Sequence, residues 1–262
     1  MIGAIIGDIL GSKYEENNLK SKEFPLFSKG LYFTDDSVMT IAIGKTLLEC
    51  NNDYSKISEL TVKNMKELSM KYLTAGYGLS FLNWVFRTNS KPYNSFGNGS
   101  AMRVSACGWV GKNLEEVKQL SQKITEVTHN HPEGIKGAEA TAVAIFLTRK
   151  RKKINEIKQY IVENYYDINF TLDEIRDSYE FDSSCQGSVP QALEAFFESV
   201  SFEDTIRNAI SIGGDTDTIC AIAGSIAHAY FGIPKDIEKK ALSYLDNYLL
   251  EILKKFEEKY LY

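Results

Sequence analysis

The sequence predicts an all-α fold, a single compact multi-helix bundle that takes residues 1–262 as one domain. Apolar residues recur three and four apart along much of the chain, which is helical spacing. Stretches that read as extended are confined to 167–172 and 179–185. No low-complexity tract, fixed-period repeat or Pro/Gly linker divides the chain.

The first apolar segment, MIGAIIGDILG, ends in the polar, glycine-containing stretch from Gly11 and Ser12 to Glu15 and Glu16. Thr34, Asp35 and Asp36 then open the apolar run VMTIAIG, and the three residues suit a helix N-terminus. Leu114, Val117, Leu120, Ile124 and Val127 form one helix face, with Asn113 placed as its cap. Arg149 to Lys153 is a run of five cations that reads as a solvated helix end or loop. Ile154, Ile157 and Ile161 continue the helical spacing, and Ser201 with Asp204 caps a helix reaching about Ile210. GGDTDT leads into an uncharged segment, 219–234, which is short for a membrane span and reads as a buried core helix. Leu242, Leu249, Ile252, Leu253 and Phe256 line the apolar face of a last helix.

A chain of 262 residues with 44% hydrophobic content can bury a sizeable core. Its net charge of −5 argues against nucleic acid as the main partner, because phosphate binding calls for a basic stripe. Cys50, Cys107, Cys185 and Cys220 form no CxxC pair and read as small buried hydrophobes of a reducing compartment. The N-terminus lacks a basic region and Asp8 interrupts it, so it does not read as a signal peptide. The expected location is cytoplasmic, with no membrane contact and a monomer as the default.

Chemistry concentrates at helix starts. Thr34, Asp35 and Asp36 are matched near the other end of the chain by Asp215, Asp217 and Thr218. Each set precedes a nearly charge-free helix. If those helices are buried neighbours, four carboxylates and two hydroxyls meet, a cluster that cannot stay anionic without cations. An all-oxygen donor set selects Mg²⁺, Mn²⁺ or Ca²⁺ over zinc, and bridging carboxylates suit two ions about 3.5–4 Å apart. Ordinary capping would use the same residue types. In SFGNGSAMR the glycines allow close backbone approach to a ligand, and N–H groups at a following helix start can cradle phosphate, though GNGS is also a common turn. Arg103 could pair with an acid or a phosphate. His129 and His131, in THNHPEG, suit ligand contact or backbone bonding better than zinc, and His228 reads as a hydrogen-bonded core residue.

Taken in order, GAIIGDILGSKYE, FTDDSVMT, AGYG, SFGNGSAMR, THNHPEG, SCQGSVPQAL and ISIGGDTDT resemble the ADP-ribosylglycohydrolase (ADP-ribosyl-acceptor hydrolase) family over nearly the whole chain. TDDS and GGDTDT are the most specific of these elements. The resemblance implies an all-helical fold with a dinuclear Mg²⁺ centre, Mn²⁺ in some members. It implies metal ligands at Thr34, Asp35, Asp36, Asp215, Asp217 and Thr218. Glu15 matches the glutamate that the family places on a mobile loop near the metals, with Glu16 as the adjacent alternative. ADP-ribose contacts carry over to Gly76, Gly78, Ser95, Phe96, Gly97, Asn98, Gly99 and His129. Phe96 keeps a stacking surface but lacks the hydroxyl of a tyrosine. Cys185 and Gln186 match a family segment without an assigned chemical role.

The implied function is metal-dependent hydrolysis of the glycosidic bond between ADP-ribose and an acceptor. Oxocarbenium character develops on the distal ribose as the acceptor leaves, and an alternative route opens the ribose ring first. A water acidified by the metals would attack, with Glu15, Asp36 and Asp217 as the catalytic carboxylates and Glu15 the most exposed candidate for acid/base work. Partners are then ADP-ribose and an ADP-ribosylated substrate, with nucleic acid entering only as an acceptor. Two readings compete. Asp215-Thr216-Asp217-Thr218 fits a DxDxT phosphatase nucleophile, which should follow a buried strand, and a catalytically silent ADP-ribose binder would share the fold.

Overall fold

The computed structural model describes residues 1–261. Among these, the chain forms helices and loops, with a single antiparallel bridge between Gly97 and Ser184. The helices are α1 (Ile2–Gly11), α2 (Asp35–Cys50), α3 (Ile57–Lys71), α4 (Leu79–Phe86), α5 (Gly99–Met102), α6 (Ser105–Val110), α7 (Leu114–Thr125) and α8 (Pro132–Arg149). They continue with α9 (Ile154–Asn164), α10 (Leu172–Ile175), α11 (Cys185–Phe197), α12 (Phe202–Ser211), α13 (Thr216–Phe231), α14 (Lys235–Leu242) and α15 (Asn247–Tyr260).

The caps expected from short polar side chains form as written. Asn113 accepts from the Glu116 amide at 2.9 Å and Ser201 from the Asp204 amide at 3.1 Å, each satisfying a donor that a helix start leaves free. The cationic run closes α8. Arg151 takes a left-handed φ of 57°, Arg149 donates to the Gly108 carbonyl at 2.7 Å, and Lys152 pairs with Glu156 at 2.7 Å. Residues 167–172 and 179–185 differ from the extended reading. Thr171 caps the short α10, and the second stretch contributes only Ser184 to the bridge before Cys185 starts α11. The apolar face that continues from Leu242 to Phe256 belongs to two helices, because Asp246 caps a new start by accepting from the Leu249 amide at 3.0 Å.

Helix α13 runs through the core, buried from Thr216 to Ala227, with α1, α8, α11 and α12 packed around it. Its pairing with α1 depends on glycine. A Cβ on Gly3, Gly7 or Gly11 would lie 2.2, 2.0 or 2.4 Å from the carbonyl oxygens of Gly224, Cys220 and Thr216. The two backbones therefore touch along three turns, and Gly11 sets the start of α13 against the end of α1. Helix α2 packs on α1, α3 and α15, which brings its own N-terminus to the same place. No helix among the described residues is long and apolar enough to cross a membrane.

Candidate active site

The start of α2 is held from below by a residue of α1. Asp8, with no exposed surface, accepts from the Thr34 hydroxyl at 2.7 Å, the Thr34 amide at 2.9 Å, the Ser37 amide at 3.0 Å and the Ser37 hydroxyl. Thr34 Oγ1 also caps the helix by accepting from the Asp36 amide at 3.2 Å. Asp35 and Asp36 then project from the first turn, and the Asp35 amide donates to the Ala75 carbonyl at 2.7 Å. That bond joins α2 to the turn containing Gly76, whose φ of 106° favours a residue without Cβ.

The start of α13 lies opposite. Gly213 and Gly214 are both left-handed, with φ of 69° and 75°, and turn the chain so that Asp215 and Asp217 face the carboxylates of α2. Asp215 accepts from the Asn98 side-chain amide at 2.8 Å, and Thr216 donates to the Gly11 carbonyl at 2.9 Å. Glu15, on the turn after α1, brings an oxygen within 4.8 Å of oxygens from Asp215 and Asp217.

This concentration of charge is unstable by itself. Burial pushes Asp35 up to about 7, with repulsion from Asp8 and Asp215 added. Asp36 and Asp217 are held well above the usual carboxylate range, first by burial and then by the neighbouring carboxylates. Glu15 is raised by burial and then by Asp215. Asp36 Oδ2 is buried with no hydrogen-bond partner. Arg103 is the one Lys or Arg among the described residues lining the cleft, and its guanidinium turns to Thr128 and His129. An orphaned carboxylate oxygen among oxygen donors fits a hard divalent cation.

The other wall is the segment before α5. The Asn98 amide donates to the Ser183 carbonyl at 2.8 Å, and Cys185 reaches back from α11 to the Phe96 and Gly97 carbonyls. Buried beside it, Arg103 donates to Thr128 Oγ1 at 2.7 Å and approaches His129 Nδ1 at 3.4 Å. A guanidinium only donates, so Nδ1 is the acceptor and Nε2 carries the proton. Burial, then Arg103, keeps the imidazole pKa well below its ordinary value, so His129 is neutral.

Between the walls lies a cleft of about 640 Å³, within the size range of small-ligand sites. It is lined by all six residues named above as metal ligands and by Glu15, Gly76, Gly78, Ser95, Gly97, Asn98, Gly99 and His129. Phe96 is placed elsewhere. Its backbone is tied to Cys185, and its half-exposed ring meets the edge of His131 at 5.4 Å. His131 caps α8, accepting from the Glu133 amide at 3.1 Å. His228 corrects the expectation of a hydrogen-bonded core residue, since Nδ1 finds no partner and the ring packs 5.0 Å from Trp109. No strand precedes Asp215, which removes the structural context that the phosphatase reading required.

Sequence reasoning missed Asp8, although a lone charge inside MIGAIIGDILG was its signal. It also missed the backing of His129 by Arg103 and Thr128, and the exposed rim aromatics Tyr32 and Phe181, which carry no local mark.

Known proteins combine this frame and these motifs. The ADP-ribosylglycohydrolase family model matches residues 1–260. ADP-ribosylhydrolase ARH3 of Homo sapiens is 24% identical, the alignment covering 89% of this chain and 84% of that one. ADP-ribosyl-(dinitrogen reductase) glycohydrolase of Rhodospirillum rubrum is 27% identical over 81% of this chain and 73% of its own. A solved structure described as an ADP-ribosylglycohydrolase-related protein complex superposes with a TM-score of 0.66 at 20% identity, covering 93% of this chain and 95% of that one, a likeness of fold. With a match from the first residue to the last helix, this chain belongs to the ADP-ribosylglycohydrolase family.

Proposed function

We propose that the chain, acting as one catalytic domain, hydrolyses the glycosidic bond between ADP-ribose and an acceptor, using Mg²⁺ or Mn²⁺ held in the acidic cleft. The observation that carries this reading is the meeting of two acidic helix starts around the unpartnered Asp36 Oδ2, opposite a glycine-rich wall backed by a neutral histidine. Thr34, Asp35, Asp36, Asp215, Asp217 and Thr218 would hold two cations. When bound there, they would supply Lewis acidity, neutralising the carboxylates and acidifying water.

The chain's own groups do the rest. Gly99, at the start of α5, offers its backbone N–H to the pyrophosphate, while the Gly97 and Asn98 amides are held by Ser95 and Ser183 and shape the wall, and Asn98 fixes Asp215 through its side chain. His129 presents Nε2–H to the ligand as a neutral donor, because Arg103 and Thr128 engage Nδ1. Glu15 is the least constrained carboxylate, raised toward the working range by burial, and takes or returns the proton at the anomeric centre. The rim aromatics offer faces for adenine.

The test is release of free ADP-ribose from arginine-, serine- and nucleic-acid-linked conjugates with Mg²⁺, then with EDTA. Metal-dependent release from one conjugate supports the reading and names the acceptor. Metal-dependent ADP-ribose binding without release from any conjugate would identify a silent binder instead.

A further inference from the structure

The loop that carries Glu15 has its own tie to the turn that carries Asp215. Lys20 Nζ donates to two main-chain carbonyls at once, those of Tyr179 and Ile212, each at 2.5 Å. Two residues earlier, Asn18 Oδ1 accepts from the Gly214 amide at 3.2 Å. Asn18 does so from a left-handed backbone, φ 44°, which asparagine tolerates better than most residues. These three bonds connect residues 18–20 to Tyr179, to Ile212 just before the Gly213–Gly214 turn and to Gly214 within it, immediately before Asp215.

The paired glycines accommodate the tie. A Cβ on Gly213 would lie 1.9 Å from Asn18 Oδ1, and one on Gly214 would lie 2.4 Å from the Tyr179 ring. Tyr179 is itself fixed, donating its hydroxyl to the Gly187 carbonyl at 2.7 Å. Farther along the loop, Arg207 anchors a separate point by donating to the Lys22 and Phe24 carbonyls at 2.9 and 2.8 Å. Glu15 lies between the end of α1 and Asn18. Its carboxylate accepts no hydrogen bond among the described residues, so its placement depends on the backbone that carries it.

We propose that Lys20 and Asn18 are positioning residues for Glu15, a latch that holds its loop closed against the Gly213–Gly214 turn. Lys20 does not line the cleft and touches no reacting atom. It acts by keeping the Glu15 oxygens near those of Asp215 and Asp217, where a third carboxylate adds to the attraction for a cation, and releasing it lets Glu15 swing away while the six ligating residues stay in place. The proposal deepens the reading of Glu15 given above and rests on it, but the latch itself is measurable without turnover.

The experiment compares the full chain with Lys20→Met, Lys20→Arg, Asn18→Gly and Glu15→Gln. Amide hydrogen exchange is followed over residues 13–20, and Mn²⁺ alone is titrated. Lys20→Met is expected to speed exchange in this segment at least tenfold while amides of α13 keep their protection. It should also weaken Mn²⁺ binding by about tenfold, because a carboxylate within 4.8 Å of Asp215 and Asp217 leaves the cation's surroundings. Lys20→Arg, which keeps the charge and the donors, restores both. Asn18→Gly, which keeps the backbone conformation, gives a smaller loosening and serves as the second probe if Lys20→Met does not fold.

Unchanged exchange in Lys20→Met or, if that variant does not fold, in Asn18→Gly overturns the latch. A loosened loop with unaltered Mn²⁺ affinity reduces the contact to a structural tie and overturns the positioning role. Glu15→Gln should keep the segment protected and lose turnover. If no conjugate is cleaved even by the parent chain, the exchange result still decides whether the latch exists.

Discussion

Asp8 accepts a hydrogen bond from the hydroxyl of Thr34 at 2.7 Å, so a buried carboxylate of α1 decides which way a hydroxyl at the start of α2 points. The proton of Thr34 is directed down into the core. Its lone pairs are left for the Asp36 amide, at 3.2 Å, and for the cleft. The carboxylate is pushed up to about 6 by burial even though four donors from Ser37 and Thr34 oppose the shift. Asp8 lines no part of the cleft, yet it sets the ligand character of one residue that does.

Asp8→Asn therefore tests orientation apart from folding. The new amide can keep the Ser37 and Thr34 amide bonds through its oxygen, but its NH₂ must donate to Thr34 Oγ1. The Thr34 proton is then driven into the cleft. The variant should fold and bind Mn²⁺ about 10–100-fold more weakly in calorimetric titration. Asp8→Ala, by contrast, leaves four buried donors without a partner and should lose about 2–4 kcal/mol in urea melts. Normal Mn²⁺ affinity in Asp8→Asn would remove Asp8 from the site.

Replacing a carboxylate of the cluster should stabilise the metal-free protein. Asp36 is buried among Asp8, Asp35 and Asp215, and Asp217 faces Asp36 and Asp215. Asp36→Asn or Asp217→Asn relieves repulsion on the order of 1–2 kcal/mol, so Tm without metal should rise. Saturating Mg²⁺ or Mn²⁺ raises Tm of the parent chain by mass action and should leave both variants nearly unmoved. The two effects have opposite signs, which distinguishes a cation site from a merely structural acidic cluster. Full turnover of conjugates by both variants would sink the metal-centre reading.

Local chemistry was legible where one residue decides the outcome. Asn113, Ser201 and Thr34 cap helices because a short acceptor beside free amides has few alternatives. The break at 243–246 was not legible, because it contains neither proline nor glycine and the apolar spacing continues across it. At the site, residue types suggested a cation, but nothing local placed Asp36 beside Asp217. Their convergence depends on which helices cross, and only the resemblance supplied that. Phe96 and His228 show the same limit in reverse, since the side chain's surroundings came from Cys185, His131 and Trp109, remote in sequence.

His228 gives a pH dependence whose sign can be worked out. Burial lowers its pKa from 6.5 to about 3, so the folded chain keeps it neutral where the unfolded chain protonates it. The unfolded state then binds more protons between those two values. The stability contributed by the neutral ring is fully present above about pH 6.5 and is lost as pH falls toward 3, by up to about 1.4 kcal/mol per pH unit. Asp8, Asp35, Asp36 and Asp217, whose pKa values are raised by burial, work in the opposite direction, so the observable is a difference. Urea melts of the parent and of His228→Gln at pH 7, 6 and 5 should show the parent losing ground to the variant as pH falls. A constant difference would mean that the ring protonates freely in the fold.

The crossing of α1 and α13 gives the prediction with the most consequence for the site. Alanine at Gly7 should favour the helix by roughly 1 kcal/mol on propensity alone. Its methyl, however, would sit 2.0 Å from the Cys220 carbonyl oxygen and 2.4 Å from the carbonyl carbon, both main-chain atoms of a buried helix that cannot rotate away. Overpacking of this kind costs about 1–3 kcal/mol, so Gly7→Ala should be destabilising, whereas Gly78→Ala, with φ −63° and open space around the new methyl, should be neutral or mildly stabilising in the same urea melts. The helices can relieve the clash only by moving apart. Asp217 lies one turn up α13 beside Gly11 and would move with it, away from the carboxylates that α2 holds in place through Asp8. Gly7→Ala should therefore lose Mn²⁺ affinity as well as stability, although Gly7 does not line the cleft. If stability falls and Mn²⁺ affinity does not, the glycine seam serves packing alone, and the geometry of the acidic centre is set elsewhere.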